Sequence, residues 1–374
     1  MKKEQNVLMG DERAALALRA LYRAHGYTQY KMNKFEEYDL YVRNKDFLIS
    51  DNVITFTDTS GKLLALKPDV TLSIVKNSRG EGGVKKVYYQ ENVYRVSGRT
   101  HAFREIMQVG LECIGDIDDY CLFEVLTLAA KSLRAIAKDA VLDISHLGIV
   151  SAVLDGLGIN SAVRGELLRC IGEKNLHELC AIATASGVAP ERLAALTALV
   201  TSYGKPSEVL SMLVPLIKDT VPQEMLASFT ALLTALEKSP VGDIVRLDFS
   251  VVGDIGYYNG IVFKGFVAGV PEGLLSGGEY NGLMRKMGKS EHAIGFAVYL
   301  DALERLLEES DKYDVDTVVL YDGGADPAAL GAAIDRLTTG GDTVLALCAL
   351  PEKLRYRRLL KFDGKEAMPL EKHA

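Results

Sequence analysis

The stretch VYYQENVYRVSGRTHAFREIMQVGLECIG, Val87–Gly115, alternates apolar and polar residues on both sides of a polar, glycine-containing loop. That pattern predicts two long antiparallel strands joined as a hairpin. The second arm carries an anomaly. Gln108, Gly110 and Glu112 stand at period two, so they share one face of the strand among apolar neighbours. An acid and an amide in that setting are costly to desolvate unless a ligand or an internal hydrogen-bond network satisfies them. Both readings are open at this point.

Upstream, Asp11 is in position to cap a helix over ERAALALRALYRAH that stops at Gly26. The strand-like TQYKM follows, then DNVITFTDTSGKLLALKPDV, whose SG pair predicts a hairpin turn. Pro68 ends that strand and TLSIVKNS starts a helix, which leaves Asp69 and Thr71 at a strand-to-helix corner. Downstream, residues 151 to about 240 turn Leu- and Ala-rich. Helix starts are marked by Asn175, Pro190 and Pro206, which predicts a helical insert. Strand character returns with IVRLDFSVV, GIVFKGF and the turn-rich LLSGGEYNGL, and YLDALERLLEES reads as helix. Within this region VVGDIGYYNGIVF, Val251–Phe263, reads as two short strands around a turn, with Tyr257 and Tyr258 beside glycines and no cationic side chain. It has the character of a pocket wall. The last segment reads as a small α/β unit: strand DTVVLYDG, helix PAALGAAIDRLTTGG, strand DTVLALCAL and a final strand near RLLKF.

Composition narrows the function classes. The chain has 374 residues, 48% apolar content and a net charge of -7, enough for two or three folding units and with no general attraction for polyphosphate. Five scattered cysteines form no C-x-x-C pair, and the six histidines form no H-x-x-x-H or H-E-x-x-H pair, so neither a disulfide framework nor a metal site is expected. No cofactor is expected. MKKEQNVLMGDER lacks an apolar targeting core and no run approaches a bilayer span, which leads to a cytoplasmic expectation.

In order along residues 10 to 310, these segments resemble the histidyl-tRNA synthetase family of class II aminoacyl-tRNA synthetases. LKPDVT is similar to that family's strand-to-helix L-R-P-E-G-T, and YR with REIMQVGLE to its motif 2 hairpin. GYYNGIVF is similar to its histidine-recognition strand, and GGEYNGL with AIGFAVYL to the approach to motif 3. The resemblance implies an α+β fold built on a class II synthetase-like antiparallel sheet with flanking helices. It further implies a 1–310 domain holding the helical insert, and a 311–374 unit resembling a truncated anticodon-binding domain. Carried over residue by residue, Glu112 and Tyr258 would contact an imidazole, while Asp69, Thr71 and Gln108 would receive an α-ammonium. Tyr257 and Tyr280 would close the walls.

The parts of the pattern that handle ATP are missing. Where the synthetases read R-G-L-D-Y-Y, this chain reads Gly253, Asp254, Ile255, Gly256, Tyr257, Tyr258, and the motif 3 arginine position is Ala302. Arg305 could replace it only by inserting three residues into a helix. Arg95 remains, as a candidate anion ligand or a strand surface charge, but the acid expected two residues later is Ser97. Loss of two preorganised charges removes about 10⁴-fold or more of rate. This combination resembles the regulatory subunits of ATP phosphoribosyltransferase, which implies no catalysis, a short-form catalytic subunit as partner, histidine as effector, and a homodimer within a hetero-oligomer. No nucleic acid or membrane partner is implied. The basic run KLRYRRLLK reads as a solvated or interface helix rather than a tRNA surface. An active histidine:tRNA ligase and a free-standing amino-acid-binding protein are the alternatives.

Overall fold

A computed structural model of the chain describes residues 10–44, 53–78, 82–97, 100–252, 257–271, 273–303 and 313–370. Two compact units divide the chain, one spanning Asp11–Leu303 and the other holding the carboxyl-terminal residues.

The larger unit starts with helix α1 (Gly10–Ala24), which buries Ala14, Ala15, Leu18 and Tyr22 on one face. Asp11 lies inside its first turn, where it favours the positive end of the helix dipole, and is not the residue before it. Gly26, at φ 81°, permits the left-handed turn that follows. The strand expected over TQYKM is only β1 (Thr28–Gln29). Strands β2 (Phe35–Glu37), β3 (Thr55–Thr57) and β4 (Leu63–Leu66) form a small sheet in the order β2-β4-β3, and helix α2 (Tyr38–Arg43) links its first two members in sequence. The predicted SG turn joins β3 to β4. Asp58 organises it by accepting from the amides of Ser60 and Lys62, both at 2.8 Å. Helix α3 (Thr71–Asn77) follows at the expected corner.

The Val87–Gly115 reading appears as β5 (Val84–Val96) paired antiparallel with β6 (Phe103–Gly115). Helix α4 (Asp119–Ile136), capped by Asp118 Oδ1 at 2.8 Å from the Cys121 amide, and strand β7 (Ala140–His146) had no counterpart in the sequence reading. The helical region contains α5 (Leu147–Asp155), α6 (Ser161–Gly172), α7 (Leu176–Ala185), α8 (Pro190–Thr201), α9 (Pro206–Ile217) and α10 (Gln223–Glu237). Asn175 caps α7 through its side chain, and Pro190 and Pro206 occupy first turns, as their positions suggested. A two-residue strand, β8 (Tyr203–Gly204), interrupts the helices.

Strands β9 (Val245–Asp248), β10 (Ile261–Val267), β11 (Leu275–Glu279) and β12 (His292–Tyr299) complete the unit, with helix α11 (Asn281–Lys286) between the last two. Among the described residues the main sheet has nine strands, ordered β1-β5-β6-β12-β11-β10-β7-β9-β8. All its pairings are antiparallel except β1 with β5 and β7 with β9. The α+β architecture is therefore as expected. One detail is corrected: Tyr257 and Tyr258 stand in the turn before β10, not on a strand. A further expected helix, YLDALERLLEES, is a 3₁₀ turn over Leu300–Leu303, and the remainder of it lies outside the described residues.

In the second unit, β13 (Val315–Leu320), β14 (Val344–Leu347), β15 (Tyr356–Phe362) and β16 (Ala367–Pro369) form a sheet in the order β14-β13-β15-β16. Helix α12 (Pro327–Thr339), capped by Asp326, packs Ala333 against Val319, Leu360 and Phe362. The basic run is corrected from helix to strand. Leu360 and Phe362 enter this core while Arg357, Arg358 and Lys361 stay exposed. Among the described residues no helix is long and apolar enough to cross a membrane.

Candidate functional site

Strand pairing decides which side chains meet on the main sheet. β6 lies between β5 and β12, and Glu112 is opposed by Gly295, Gly110 by Ala297, and Gln108 by Tyr299. Because side chains alternate along each strand, these six share one face. Gly295 is required where it stands, since a Cβ there would overlap the Glu112 carboxylate. Gly110 likewise leaves room for the Tyr89 ring, which lies opposite it on β5.

Above this face sits a cavity of about 30 Å³, room for roughly one or two waters. Asp69 and Thr71 reach it from the corner before α3, Gln108 and Glu112 from β6, and Arg95 from β5. Tyr257 and Tyr258 come from the turn before β10, and Tyr280 from the start of α11. All eight residues singled out in the sequence thus line one cavity. Tyr89, Ser276, Gly295 and Tyr299 line it too and were missed. Period-two spacing of Gly295, Ala297 and Tyr299 was visible, but only pairing with β6 shows which face it serves.

Glu112 is the centre of the site. It is 2% exposed and holds two hydrogen bonds, Thr71 Oγ1 donating to Oε1 at 2.8 Å and the Tyr280 hydroxyl to Oε2 at 2.6 Å. Burial drives its pKa up to about 8, against the opposing effect of those two donors. Tyr280, expected as a wall, is therefore a donor, and Thr71 is committed to the carboxylate. Asp69 is buried as well, and its Oδ1 accepts from the Leu72 amide at 2.9 Å. Desolvation raises its pKa, and the Leu72 amide and the charge of Arg95 offset part of that.

The tyrosines form an aromatic wall, with Tyr257 edge-on to Tyr258 at 4.7 Å between centroids and 6.1 Å from Tyr280. Burial raises all three hydroxyl pKa values well above the ordinary phenol range, so each stays an O–H donor. Arg95 is no surface charge: its Nε donates to the Pro68 carbonyl at 3.0 Å, and its charge acts on Tyr299 and Asp69. Among the described lining residues it is the one cation, against the two acids Asp69 and Glu112. Ala302 does not line the cavity, whereas positions 253–256 and Arg305 lie outside the described residues. Such a site suits a small ligand with N–H donors far better than a polyphosphate.

Comparison with known proteins bears on the fold and the family. The chain is 24% identical over 292 residues to an ATP phosphoribosyltransferase regulatory subunit of Oceanobacillus iheyensis, covering 77% of this chain and 72% of that protein. A solved Bacillus halodurans structure, described as an ATP phosphoribosyltransferase regulatory subunit/histidyl-tRNA synthetase, superposes with a TM-score of 0.75 at 24% identity, covering 94% of this chain and 93% of that one. A chain of the ATP phosphoribosyl transferase complex of Thermotoga maritima superposes with a TM-score of 0.60 at 18% identity, covering 76% and 96%. The sequence model described as histidyl-tRNA synthetase matches residues 10–303, nearly the whole of the larger unit, and the chain therefore belongs to the histidyl-tRNA synthetase family.

Proposed function

We propose that this chain is a non-catalytic regulatory subunit of ATP phosphoribosyltransferase, acting in the first step of histidine biosynthesis with a short-form catalytic subunit and responding to histidine. The observation that carries the reading is the charge balance of the cavity: two buried acids, a tyrosine wall and a single cation among the described lining residues. Glu112 takes an N–H of the imidazole or the ammonium, Tyr258 meets the ring, and Asp69 with Gln108 takes the ammonium. Arg95 is the nearest group for the carboxylate. The relatives named as regulatory subunits support the same role, and the cytoplasm, where amino-acid biosynthesis runs, is the expected compartment.

The losses at Gly253 and Ala302 leave no arginine at the positions where the synthetase pattern meets phosphate. The family match by itself favours the second reading, an active histidine:tRNA ligase. One pair of measurements separates them. The purified chain should show no histidine-dependent exchange of pyrophosphate into ATP, and co-expression with a short catalytic subunit should yield a complex whose phosphoribosyl transfer depends on this chain and is inhibited by histidine. Exchange at synthetase-like rates would overturn the regulatory reading.

A further inference from the structure

A second cavity lies beside the first, over β7, β9, β10 and β11, with a volume of about 500 Å³. That falls within the range of roughly 300–1,000 Å³ usual for small-molecule sites. Tyr258 and Ser276 line both cavities. Its charged lining comprises Asp143, Asp248, Lys174 and Lys264. Half of that set is satisfied within the protein: Lys174 Nζ donates to Asp248 Oδ2 at 2.8 Å, and Asp248 Oδ1 accepts from the Ser250 amide and hydroxyl at 2.9 and 2.6 Å.

The other half is not. Asp143 is 7% exposed, and although the Tyr203 hydroxyl reaches its carboxyl, Oδ1 has no hydrogen-bond partner. Lys264 is its directly opposed neighbour on β10 and so shares its face of the sheet. Its ammonium nevertheless lies over the Phe266 ring, 5.4 Å from the centroid, and among the described residues it forms no ion pair with Asp143. A buried carboxylate oxygen left unpaired beside an opposed cation is an arrangement that a ligand carrying both charges would complete.

We propose that this cavity is a second ligand site, which takes a zwitterionic aliphatic amino acid with its ammonium on Asp143 Oδ1 and its carboxylate on Lys264. Val262 and Phe266, two residues either side of Lys264 on the same strand face, supply the apolar surface for its side chain. An amine alone leaves the Lys264 ammonium to water and a carboxylate alone leaves Asp143 Oδ1 without a partner, so a zwitterion gains most from the site. Since the Tyr258 ring belongs to both walls, an occupant here bears on the ring that closes the first cavity.

The test is saturation-transfer NMR on the full chain with free leucine as the probe, alongside 4-methylpentanoate and 3-methylbutylamine, which each keep one of its charges. Leucine should show transfer in the wild-type chain with histidine in excess and in the Glu112→Ala chain, and both one-charge analogues should bind more weakly. Asp143→Asn and Lys264→Ala should each weaken leucine binding by about tenfold or more, the loss of one charge-assisted hydrogen bond. Lys264 is exposed, so its variant keeps the test sound if Asp143→Asn fails to fold. The proposal is overturned if leucine shows no transfer, if excess histidine or Glu112→Ala abolishes it, or if Lys264→Ala leaves it unchanged. Absence of leucine transfer, or its survival in Lys264→Ala, leaves the histidine reading of the first cavity untouched, whereas loss in Glu112→Ala assigns leucine to the first cavity instead.

Discussion

Tyr280 donates its hydroxyl to Glu112 Oε2 at 2.6 Å, although 168 residues of chain separate the two. With Thr71 on the other oxygen, the carboxylate is held in one orientation before any ligand arrives. Each oxygen can still accept a further bond, since a carboxylate has about four acceptor positions. A buried acid that is oriented but uncompensated by positive charge is a receptor for an N–H donor, and three consequences can be measured.

Replacing Glu112 with alanine should weaken histidine binding by about 1–3 kcal/mol, the value of a hydrogen bond to a charged group. Calorimetry on the assembled complex reads this directly. Because coupling between sites is reciprocal, feedback inhibition should shift to higher histidine by the same factor while the complex still assembles. Unchanged affinity in both Glu112→Ala and Tyr258→Phe would make the cavity a relic.

Stability should depend on pH through Glu112. Its folded pKa, raised from 4.5 to about 8, means that the folded chain holds a proton the unfolded chain has lost across that window. Stability from this group is therefore fully present below pH 4.5 and falls as pH rises towards 8, by an amount on the order of 1–4 kcal/mol. Urea denaturation of wild type and Glu112→Gln should diverge in that direction, with the flatter profile in the variant. Histidine bound to the ionised form should also release a proton near neutral pH, seen as a buffer-dependent heat.

Gly295→Ala should destabilise the chain by about 1–3 kcal/mol, because the new Cβ meets the Glu112 carboxylate with strand backbone behind it. Gly288→Ala is the contrast. That glycine has open space around it and a φ of 73°, so its cost is the smaller one of a strained backbone. A Gly295→Ala chain as stable as wild type, with unchanged histidine affinity, would show that the carboxylate has another place to go.

The small sheet β2-β4-β3 presents Phe35 and Phe56 edge to face at 5.5 Å, both exposed, with Val42 and Leu63 also exposed nearby in the chain. Isolated apolar side chains at a surface are ordinary, but an aromatic pair on a sheet face is the kind of surface that oligomers cover. The family resemblance implies a homodimer, and a twofold interface through the segment between Tyr22 and Asp58 would cover this surface. Phe35→Glu should then shift sedimentation from dimer to monomer at micromolar protein, and a wild-type monomer under the same conditions would remove the idea.

How much of this was legible beforehand differs by residue. The hairpin Val87–Gly115, the corner at Asp69 and Thr71, and the helix starts at Asn175, Pro190 and Pro206 are local patterns, set by alternation, proline geometry and capping, and each could be read from a few neighbouring residues. The family resemblance brought Tyr257, Tyr258 and Tyr280 to attention through motif order. It did not reveal that Tyr280 and Thr71 bond Glu112, that Arg95 ties to Pro68, or that Tyr89 and Tyr299 complete the wall. The sequence reading also passed over α4 and β7, although Asp118 caps the first and Leu142, Asp143, Ile144 and Ser145 alternate along the second.

By itself, then, the sequence determined the long hairpin, the corner at Asp69 and Thr71 and several helix starts, and it offered the residues proposed here to recognise histidine. Those are properties of residue type and short spacing. Only the tertiary structure decided that β12 lies beside β6, and this one adjacency sets Gly295 under Glu112 and Tyr299 beside Gln108. It also decided that β7 and β10 pair, which opposes Asp143 to Lys264 over a second cavity. Strand order in a sheet is settled by long-range burial of whole faces, a global balance that no stretch of a dozen residues encodes.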